Sequence, residues 1–397
     1  MAEAGSRSQP RRNFLRLAGM GLALFLAGCQ AMVPKTTPPA TPAPPKEETR
    51  PVGPGLPTDQ ERHRVALLVP MTGPNAAVGQ SIANAANLAL LDTGGAKVRI
   101  TTYDTATGAA VAAQKALADG NRLFLGPLLA DDVRAISAPA RAAGVPVISF
   151  SNDATVAGNG VYLMGFSPAQ SIDRAVRFAR TKGISKFAGL MPTGLYGRNA
   201  SNALIHAAEG AGGSVVSLQT FDRSPKSLSA AIAKLGQSGD YEAVLIADGG
   251  RIAIQAVPLI RKAGSGGAEA QVIGTELWAT ESTLTANPAM GGAWFASVQE
   301  NMYRQLATKY RTRFGKPPYR LASLGYDAVL LTVRIAGQWK VGDRFPVKAL
   351  ADKDGFAGVD GAFRFGADGI AQRALAVHQI GSGGITTVSP APRSFAE

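Results

Sequence analysis

Few residues of this chain could take part in chemistry, and they are scattered. Its 397 residues include three histidines, His63, His206 and His378, and a single cysteine, Cys29. The histidine spacing matches no metal-binding pattern, and the chain has no Walker loop, no G-x-S-x-G turn and no S-x-x-K motif. We expect His63 to face solvent just outside the first strand, and the other two to be structural residues. The sequence thus predicts a non-enzymatic protein with no catalytic residues, metal or cofactor.

Cys29 stands at the end of a short apolar run, Leu17 to Ala27, which follows three arginines. A transmembrane helix needs roughly 20 apolar residues, so this run is too short to span a bilayer. A basic start, an apolar centre and small residues at the end are typical of a secretion signal. The segment Leu26-Ala27-Gly28-Cys29 resembles the bacterial lipobox, which is cut before the cysteine so that its sulfur can carry a lipid. We therefore expect a signal peptide over 1–28 and a membrane anchor at Cys29.

The residues around this site predict where the protein lives. Arg11-Arg12-Asn13-Phe14-Leu15-Arg16 resembles the twin-arginine export motif, and the general secretory route is the alternative. Gln30 follows the cysteine at the position where aspartate would resemble an inner-membrane retention signal, which favours the outer membrane. Residues 29–61 are rich in proline and predict an extended tether of up to ~90 Å at about 3 Å per residue. The folded part is expected on the periplasmic side of the envelope.

Composition narrows the possible partners. About 369 residues remain after the signal, enough for two domains of ~150–180 residues each. The net charge is +13, but the basic residues are spread along the chain rather than clustered. Nucleic-acid binders usually concentrate their charge and interleave it with aromatic residues. We therefore predict no nucleic-acid partner.

Strands and helices alternate from Arg64 onward. Apolar runs such as RVALLVP, KVRITTYD, RLFLGP and VPVISF are each followed by a segment with helical spacing, and the alternation resumes from KFAGLM to QVIG. This order predicts an α/β fold with βαβ units, parallel sheets and right-handed crossovers. From about Phe295 the pattern changes to two long amphipathic helices, followed by a hairpin around Ala367-Asp368-Gly369.

The loops that follow the strands hold the candidate binding residues. In open α/β sheets, ligands bind beyond the carboxyl ends of the strands, where glycine-containing loops offer free N–H groups. The alternative is that such residues only form turns and helix caps. The predicted cleft residues are Thr72, Gly73, Asn75, Gly126, Leu128, Ser149, Phe150, Ser151, Asn152, Tyr196, Asp248, Glu276 and Trp278.

This order of elements resembles the type I periplasmic binding proteins, the Leu/Ile/Val-binding family. The loop from Met71 to Gly79 is similar to the family's S/T-G-P-x-A-x-x-G loop, and Gly358-Val359-Asp360-Gly361 is similar to the start of its C-terminal hairpin. The resemblance implies two Rossmann-like lobes joined by three crossovers, with a ligand in the cleft between them. It implies a first lobe over 62–172 plus 293–340, a second over 173–292 plus 341–390, and a tail over 391–397.

The candidate cleft departs from the amino-acid-binding members. Their loop after the third strand carries small hydroxyl residues for the ligand's α-carboxylate, whereas this chain has Gly126-Pro127-Leu128-Leu129-Ala130. Glu276 stands where the family places an acid for the α-ammonium group. Trp278 beside the cleft could stack on a ligand or plug the cleft.

The segment Leu125-Gly126-Pro127-Leu128-Leu129 is similar to the C-terminal domain of the penicillin-binding protein activators, outer-membrane lipoproteins that stimulate a peptidoglycan synthase. This likeness and the lipid tether favour a regulator whose partner is that synthase. The alternative is the receptor of an ABC permease that binds an amino acid or a related small molecule, with hinge closure on the ligand. A receptor needs a polar cleft, whereas a regulator can carry a degenerate one.

Overall fold

The structure, a computed structural model, describes residues 61–263, 268–392 and 395. The expected signal peptide, Cys29 and nearly all of the expected tether lie outside these residues. Within them, every helix is too short or too polar to cross a membrane.

The first lobe is built on a parallel sheet with the strand order β2-β1-β3-β4-β5. Its strands are β1 (His63–Val69), β2 (Val98–Asp104), β3 (Leu123–Leu125), β4 (Val147–Ser149) and β5 (Val161–Leu163). The connecting helices are α1 (Ala76–Asp92), α2 (Ala109–Ala118) and α3 (Ala130–Ala142). Side chains of β1 alternate between two cores, with Val65 and Leu67 on one face and Ala66 and Leu68 on the other. Both faces of the strand are buried, which explains its unbroken apolar sequence.

The second lobe is built on a seven-stranded sheet with the order β15-β14-β10-β9-β8-β6-β7. Its parallel strands are β6 (Lys186–Pro192), β7 (Ser214–Phe221), β8 (Ala243–Ile246), β9 (Gln271–Gly274) and β10 (Trp294–Ser297). The helices are α4 (Pro168–Thr181), α5 (Leu195–Gly210), α6 (Pro225–Leu235) and α7 (Gly250–Lys262). The α/β fold with two lobes is thus confirmed.

The remaining elements return to the first lobe and then leave it again. They are α8 (Glu300–Phe314), α9 (Ala322–Ala336), and a small antiparallel sheet of β11 (Phe356–Gly358), β12 (Gly361–Phe365) and β13 (Ala371–Arg373). The last two strands, β14 (Ala376–Gly381) and β15 (Gly384–Ser389), complete the second sheet in antiparallel orientation. The chain therefore passes between the lobes three times, at 164–167, 298–299 and 374–375.

Two elements lie on the other side of the expected lobe limits. Strand β10 was expected in the first lobe but pairs in parallel with β9 in the second sheet. Strands β11 to β13 were expected in the second lobe, but Phe356, Phe363 and Phe365 are buried in the core formed by α1, α9 and the first sheet. Burial of these aromatic side chains holds the small sheet on the first lobe, and the hairpin predicted around Asp368 is its β12–β13 turn.

In each lobe, a glycine allows the helix after the first strand, α1 or α5, to begin directly against that strand. A side chain at Gly79 would collide with the carbonyl of Pro70, and one at Gly197 would collide with the carbonyl of Pro192. The glycine that ends the predicted S/T-G-P-x-A-x-x-G loop is therefore required by close packing rather than by a special backbone angle.

The prediction that His63 faces solvent is wrong. His63 is the first residue of β1, is only 3% exposed, and stacks on Trp339 with ring centroids 3.9 Å apart. The sequence could not show this contact, because Trp339 follows α9, far along the chain. Burial lowers the pKa of His63, a shift that its hydrogen bond with the Trp339 backbone opposes.

Candidate functional site

A cavity of about 540 Å³ lies where the two lobes and the three crossovers meet. Its volume is in the range of small-molecule sites, roughly 300–1,000 Å³. Most of its wall is apolar, contributed by Val78, Leu128, Leu129, Phe150, Phe166, Leu277, Val298, Leu321 and Leu375. Groups of hydrogen-bonding and charged residues stand at separate places along this wall.

The loops after β3 and β4 close on each other rather than on the cavity. The Ser149 hydroxyl and the Phe150 amide both donate to the Pro127 carbonyl, at 2.8 and 2.9 Å. The Ser151 amide donates to the Ser149 hydroxyl at 3.0 Å, and both serines are buried. The backbone leaves room only for glycine at Gly126, where a side chain would collide with the Leu68 carbonyl. These groups stabilise the loops, and the side chains that reach the cavity from here are mainly apolar.

The loop after β1 is held by Asp104 at the end of β2. Its carboxylate accepts the Thr72 hydroxyl at 2.6 Å and the Met71 amide at 2.8 Å. Burial alone would raise the pKa of Asp104, but these hydrogen bonds lower it below its ordinary value. Thr72 and Gly73 are exposed outside the cavity, whereas Asn75 lines it.

An acidic end of the cavity is formed by the second lobe. Glu276 follows β9, and its Oε1 lies 3.1 Å from the Tyr196 hydroxyl, which is also 3.0 Å from Thr275 Oγ1. Glu276 Oε2 is inaccessible to solvent and has no hydrogen-bond partner in the part of the chain that the structure describes. The neighbouring Ser171 hydroxyl donates instead to the Ala296 carbonyl, at 2.9 Å.

Burial shifts the protonation of this end toward the neutral acid. Burial raises the pKa of Glu276. The hydrogen bonds from its own backbone and from Tyr196, together with the nearby Ser171, lower this pKa by a smaller amount. The same burial raises the pKa of Tyr196, and the charge of Glu276 adds to that shift. An acidic group that is buried with one oxygen unpartnered is suited to a ligand that donates a hydrogen bond or carries a positive charge.

Five charged residues beside the crossovers form what we call the hinge cluster: Glu300, Arg320, Asp327, Asp360 and Arg373. Glu300, Arg320 and Arg373 line the cavity, while Asp327 and Asp360 lie behind them with 0% exposure. Arg320 Nη2 is 2.7 Å from Asp360 Oδ1 and 3.3 Å from Glu300 Oε1. Arg373 Nη2 donates to the Met164 carbonyl at 2.7 Å, which links the first crossover to the end of β13, directly before the third crossover.

Aromatic rings enclose both guanidinium groups of the hinge cluster. The Arg320 guanidinium carbon lies 4.1 Å from the ring centre of Tyr303 and 5.1 Å from that of Phe166, and the Arg373 carbon lies 4.8 Å from Phe166. These distances are within the range of cation–π attraction. Behind them, the Asp327 carboxylate accepts the Val359 amide at 2.7 Å. Burial, followed by the charge of Asp360, raises the pKa of Asp327 to about 7.

The predicted cleft residues divide into two groups. Six line the cavity: Asn75, Leu128, Phe150, Asn152, Tyr196 and Glu276. Seven do not: Thr72, Gly73, Gly126, Ser149, Ser151, Asp248 and Trp278. Trp278 neither stacks in the cavity nor plugs it, because its ring is fully buried in the second lobe and donates to the Asp248 carbonyl at 2.9 Å. The Asp248 carboxylate is paired with Arg223 at 2.8 Å.

The cavity residues contributed by the crossovers and the hinge cluster were not predicted from the sequence. Gln170, at the start of α4, exchanges hydrogen bonds with the backbones of Arg373 and Ala371, at 2.8 and 2.6 Å. An arginine within the apolar strand segment AQRALAV was the available signal for Arg373, since a buried charge needs partners. Among the described residues, no group of three or more His, Cys, Asp or Glu side chains could hold a metal ion.

Residues 63–384 match the sequence model of a known protein family, which is described as periplasmic binding protein. The chain belongs to the periplasmic binding protein family. The predicted resemblance to the Leu/Ile/Val-binding branch is thereby confirmed, and the family indicates a periplasmic protein with a binding fold rather than an enzyme fold.

Solved structures of both predicted classes share this fold. The leucine-binding protein LivK of Thermotoga maritima is 20% identical, covering 83% of this chain and 98% of that one, with a TM-score of 0.59. The C-domain of LpoA from Haemophilus influenzae, a regulator of PBP1A, is 20% identical over 82% of this chain and 99% of that one, with a TM-score of 0.65.

Two further matches complete the comparison. A solute-binding protein of an ABC transporter from Rhodopseudomonas palustris, in complex with 3,4-dihydroxybenzoic acid, is 19% identical over 83% of this chain and 97% of that one, with a TM-score of 0.61. An uncharacterized protein of Rickettsia prowazekii is 23% identical over 184 residues, which are 46% of this chain and 49% of that protein. The match thus spans about half of that relative, and the structural likenesses establish the fold alone.

Proposed function

We propose that this periplasmic binding protein holds a small organic solute in the cavity between its lobes. The observation that carries the proposal is Glu276, whose Oε2 is buried beside the cavity without a partner among the described residues. An unpartnered buried acceptor costs about 1–3 kcal/mol, and more when charged. Because Oε2 is inaccessible in this conformation, a ligand that donates a hydrogen bond to it would recover that free energy only after the Glu276 side chain rotates toward the cavity.

The open volume of the cavity favours a solute receptor over a regulator with a degenerate cleft. A degenerate cleft would be filled by its own side chains, whereas this one encloses about 540 Å³ and leaves Trp278 in the core. Ligand contacts from both lobes would favour the closed population of a hinged protein. The physiological partner in this reading is an ABC permease.

A thermal-shift screen of the purified protein tests the proposal. The panel contains free amino acids, amines, aromatic acids and muropeptides. A ligand at about 100 times its Kd adds about 2.7 kcal/mol, which corresponds to a shift of roughly 4 °C for a folded part of this length. The shift should fall by about half or more in Glu276→Gln and persist in Glu209→Gln, an exposed glutamate of α5 in the same lobe. A panel without any shift would refute solute binding.

A second candidate is regulation of a peptidoglycan synthase, as sequence analysis favours. Its support is the loop from Leu125 to Leu129, together with the fold shared with a regulator of PBP1A. Leu129, at the start of α3, lines the cavity but is also 41% exposed, so an apolar contact with a partner is available there. Co-purification with a bifunctional penicillin-binding protein, weakened by Leu129→Asp, would support this candidate. Co-purification with a permease would support the receptor.

We also propose that the protein is attached by a lipid on Cys29 to the outer membrane. The support is the sequence Leu26-Ala27-Gly28-Cys29 and the glutamine that follows it. Cys29→Ser should release the protein from the membrane fraction, because acyl chains bind a bilayer in proportion to their buried methylene groups. Retention of the serine variant in the membrane fraction would contradict lipid attachment.

Replacing both Arg11 and Arg12 by lysine separates the export routes, since only the twin-arginine route should then fail.

A further inference from the structure

We infer that helix α8 is a membrane-docking surface, on which the folded part of the protein rests against the anionic phospholipids of a bilayer. The inference goes beyond solute binding, and its choice of occupant rests on the proposed lipid at Cys29. Three observations carry it: the charge of α8, the shortage of acidic partners for that charge within the fold, and the position of α8 beside the point where the chain enters the first lobe.

Basic residues concentrate on α8 and directly after it. All of them are exposed, and together they form what we call the basic face: Arg304, Lys309, Arg311, Arg313 and Lys316. The acidic residue of α8, Glu300, lines the cavity instead and pairs with Arg320. Uncharged residues separate most of these cations along the chain, so no basic run marks them in the sequence. The helix brings them together into one surface of positive charge.

The helix periodicity places the cations along both borders of an outward strip. The side of α8 opposite its buried residues is neutral and polar, and it is formed by Asn301, Gln305, Thr308 and Thr312. At 3.6 residues per turn, Arg304 and Arg311 lie along one border of this strip. Lys309 and Arg313 lie along the other. A broad anionic surface laid against the strip would therefore meet cations on both sides.

Most of the basic face is not neutralised within the fold. Cations of other helices are used internally: on α4, Arg174 and Arg180 both donate to backbone carbonyls. On the basic face, Lys309 forms an ion pair with Asp92 at 3.0 Å, and it is the one member with such a pair among the described residues. The remaining cations are available to an external anion.

The position of α8 favours a bilayer as that anion. The chain enters the fold at His63, whose amide donates at 2.7 Å to the carbonyl of Lys97, shortly after α1. Asp92, the last residue of α1, pairs with Lys309, so α8 lies beside this entry point. The expected tether holds the folded part within ~90 Å of the lipid at Cys29. This short distance raises the local concentration of the bilayer, so a weak attraction is sufficient for docking.

The side chains around the basic face also suit a bilayer. Each Lys or Arg close to an anionic membrane strengthens binding about fivefold. Two large apolar side chains are exposed near the ends of this stretch, Met302 at 50% and Tyr319 at 51%. Tyrosine is enriched at the level of the lipid headgroups, where its ring and its hydroxyl are both accommodated. A soluble polyanion could neutralise the cations but would leave these two side chains in water.

Vesicle co-sedimentation tests the inference on the chain from Gln30 onward, which keeps every described residue and lacks the signal and the lipid. The vesicles contain phosphatidylcholine alone or an equal mixture of phosphatidylcholine and phosphatidylglycerol. At low ionic strength we expect at least tenfold tighter binding to the mixed vesicles. The difference should shrink as salt is added, because ions screen exposed charges.

Two double variants connect this binding to α8. Arg311→Gln with Arg313→Gln should weaken binding to the mixed vesicles by roughly twenty-fivefold, since each cation contributes about fivefold. Lys226→Gln with Lys234→Gln removes the same charge from exposed positions of α6 in the second lobe, and should weaken binding less than threefold. All four side chains are exposed, so both variants are expected to fold.

The possible outcomes are distinct. Equal binding to neutral and mixed vesicles, or equal losses in the two double variants, overturns docking through α8. Polyglutamate that binds as tightly as the mixed vesicles, and is weakened by the same arginine variant, overturns the bilayer as occupant and indicates an acidic protein partner. None of these results affects solute binding, which the thermal-shift screen tests separately, and a failed screen leaves membrane docking intact.

Discussion

The buried Asp327 should make the protein less stable as the pH rises through the neutral range. Its carboxyl group is 0% exposed, accepts the Val359 amide, and faces the charges of Asp360 and Arg373. Its pKa is raised from an ordinary 3.8 to about 7. Between these values the folded state keeps a proton that the unfolded state has lost. Folding is therefore progressively weakened from about pH 4 to pH 7, and the loss is complete above the folded pKa.

The size of the effect follows from the same two pKa values. One pKa unit corresponds to 1.36 kcal/mol, so the raise from 3.8 to about 7 amounts to on the order of 4 kcal/mol. Asp327→Asn removes the titration but keeps an oxygen that can accept the Val359 amide. The variant should match the wild type near pH 4 and exceed its free energy of unfolding by up to about 4 kcal/mol at pH 8.

Urea denaturation at several pH values between 4 and 8 measures this difference. The control is Asp352→Asn, a surface carboxylate 2.7 Å from Arg334 in a partly exposed pair, whose loss should cost less than about 1 kcal/mol. A difference between Asp327→Asn and the wild type that is independent of pH, or that favours the wild type at high pH, would refute the reasoning.

Two further predictions concern packing, and both are measured as changes in the free energy of unfolding. Gly79→Ala should cost about 1–3 kcal/mol or more, because the new methyl group would collide with the Pro70 carbonyl. The control, Gly210→Ala, lies in a helix with open space around it and should be neutral or stabilising. Equal effects of the two substitutions would contradict the close-packing argument. Trp339→Ala should cost about 3–5 kcal/mol, since the ring is 5% exposed and stacks on His63, and a loss below 1 kcal/mol would show that this contact is unimportant.

Local sequence patterns were sufficient for most of the individual strands and helices, because each of them is marked by its own residues. The run RVALLVP became β1, and helical spacing marked α1 within one residue of its ends and α9 within four. Strand β10 escaped this reading because its run of four residues, WFAS, carries no sign of which sheet it joins. That assignment depends on pairing with β9 and β14, which come from distant parts of the chain.

The site was predictable only where it follows a strand directly. Glu276 and Asn152 were found from their positions after β9 and β4. Trp278 comes from the same loop as Glu276, yet the turn after β9 folds its ring against Gly274 in the core. The hinge cluster left no local pattern, because Arg320 and Arg373 are about fifty residues apart and meet only through folding.

The central claim is that Glu276 anchors a solute between the lobes. Its most direct measurement is the calorimetric Kd of the tightest ligand from the screen for the wild type, Glu276→Gln and Glu209→Gln. A hydrogen bond to a charged group contributes about 1.5–3 kcal/mol, so Glu276→Gln should raise the Kd by roughly tenfold to a hundredfold, with Glu209→Gln unchanged. An unchanged Kd in Glu276→Gln would contradict the account.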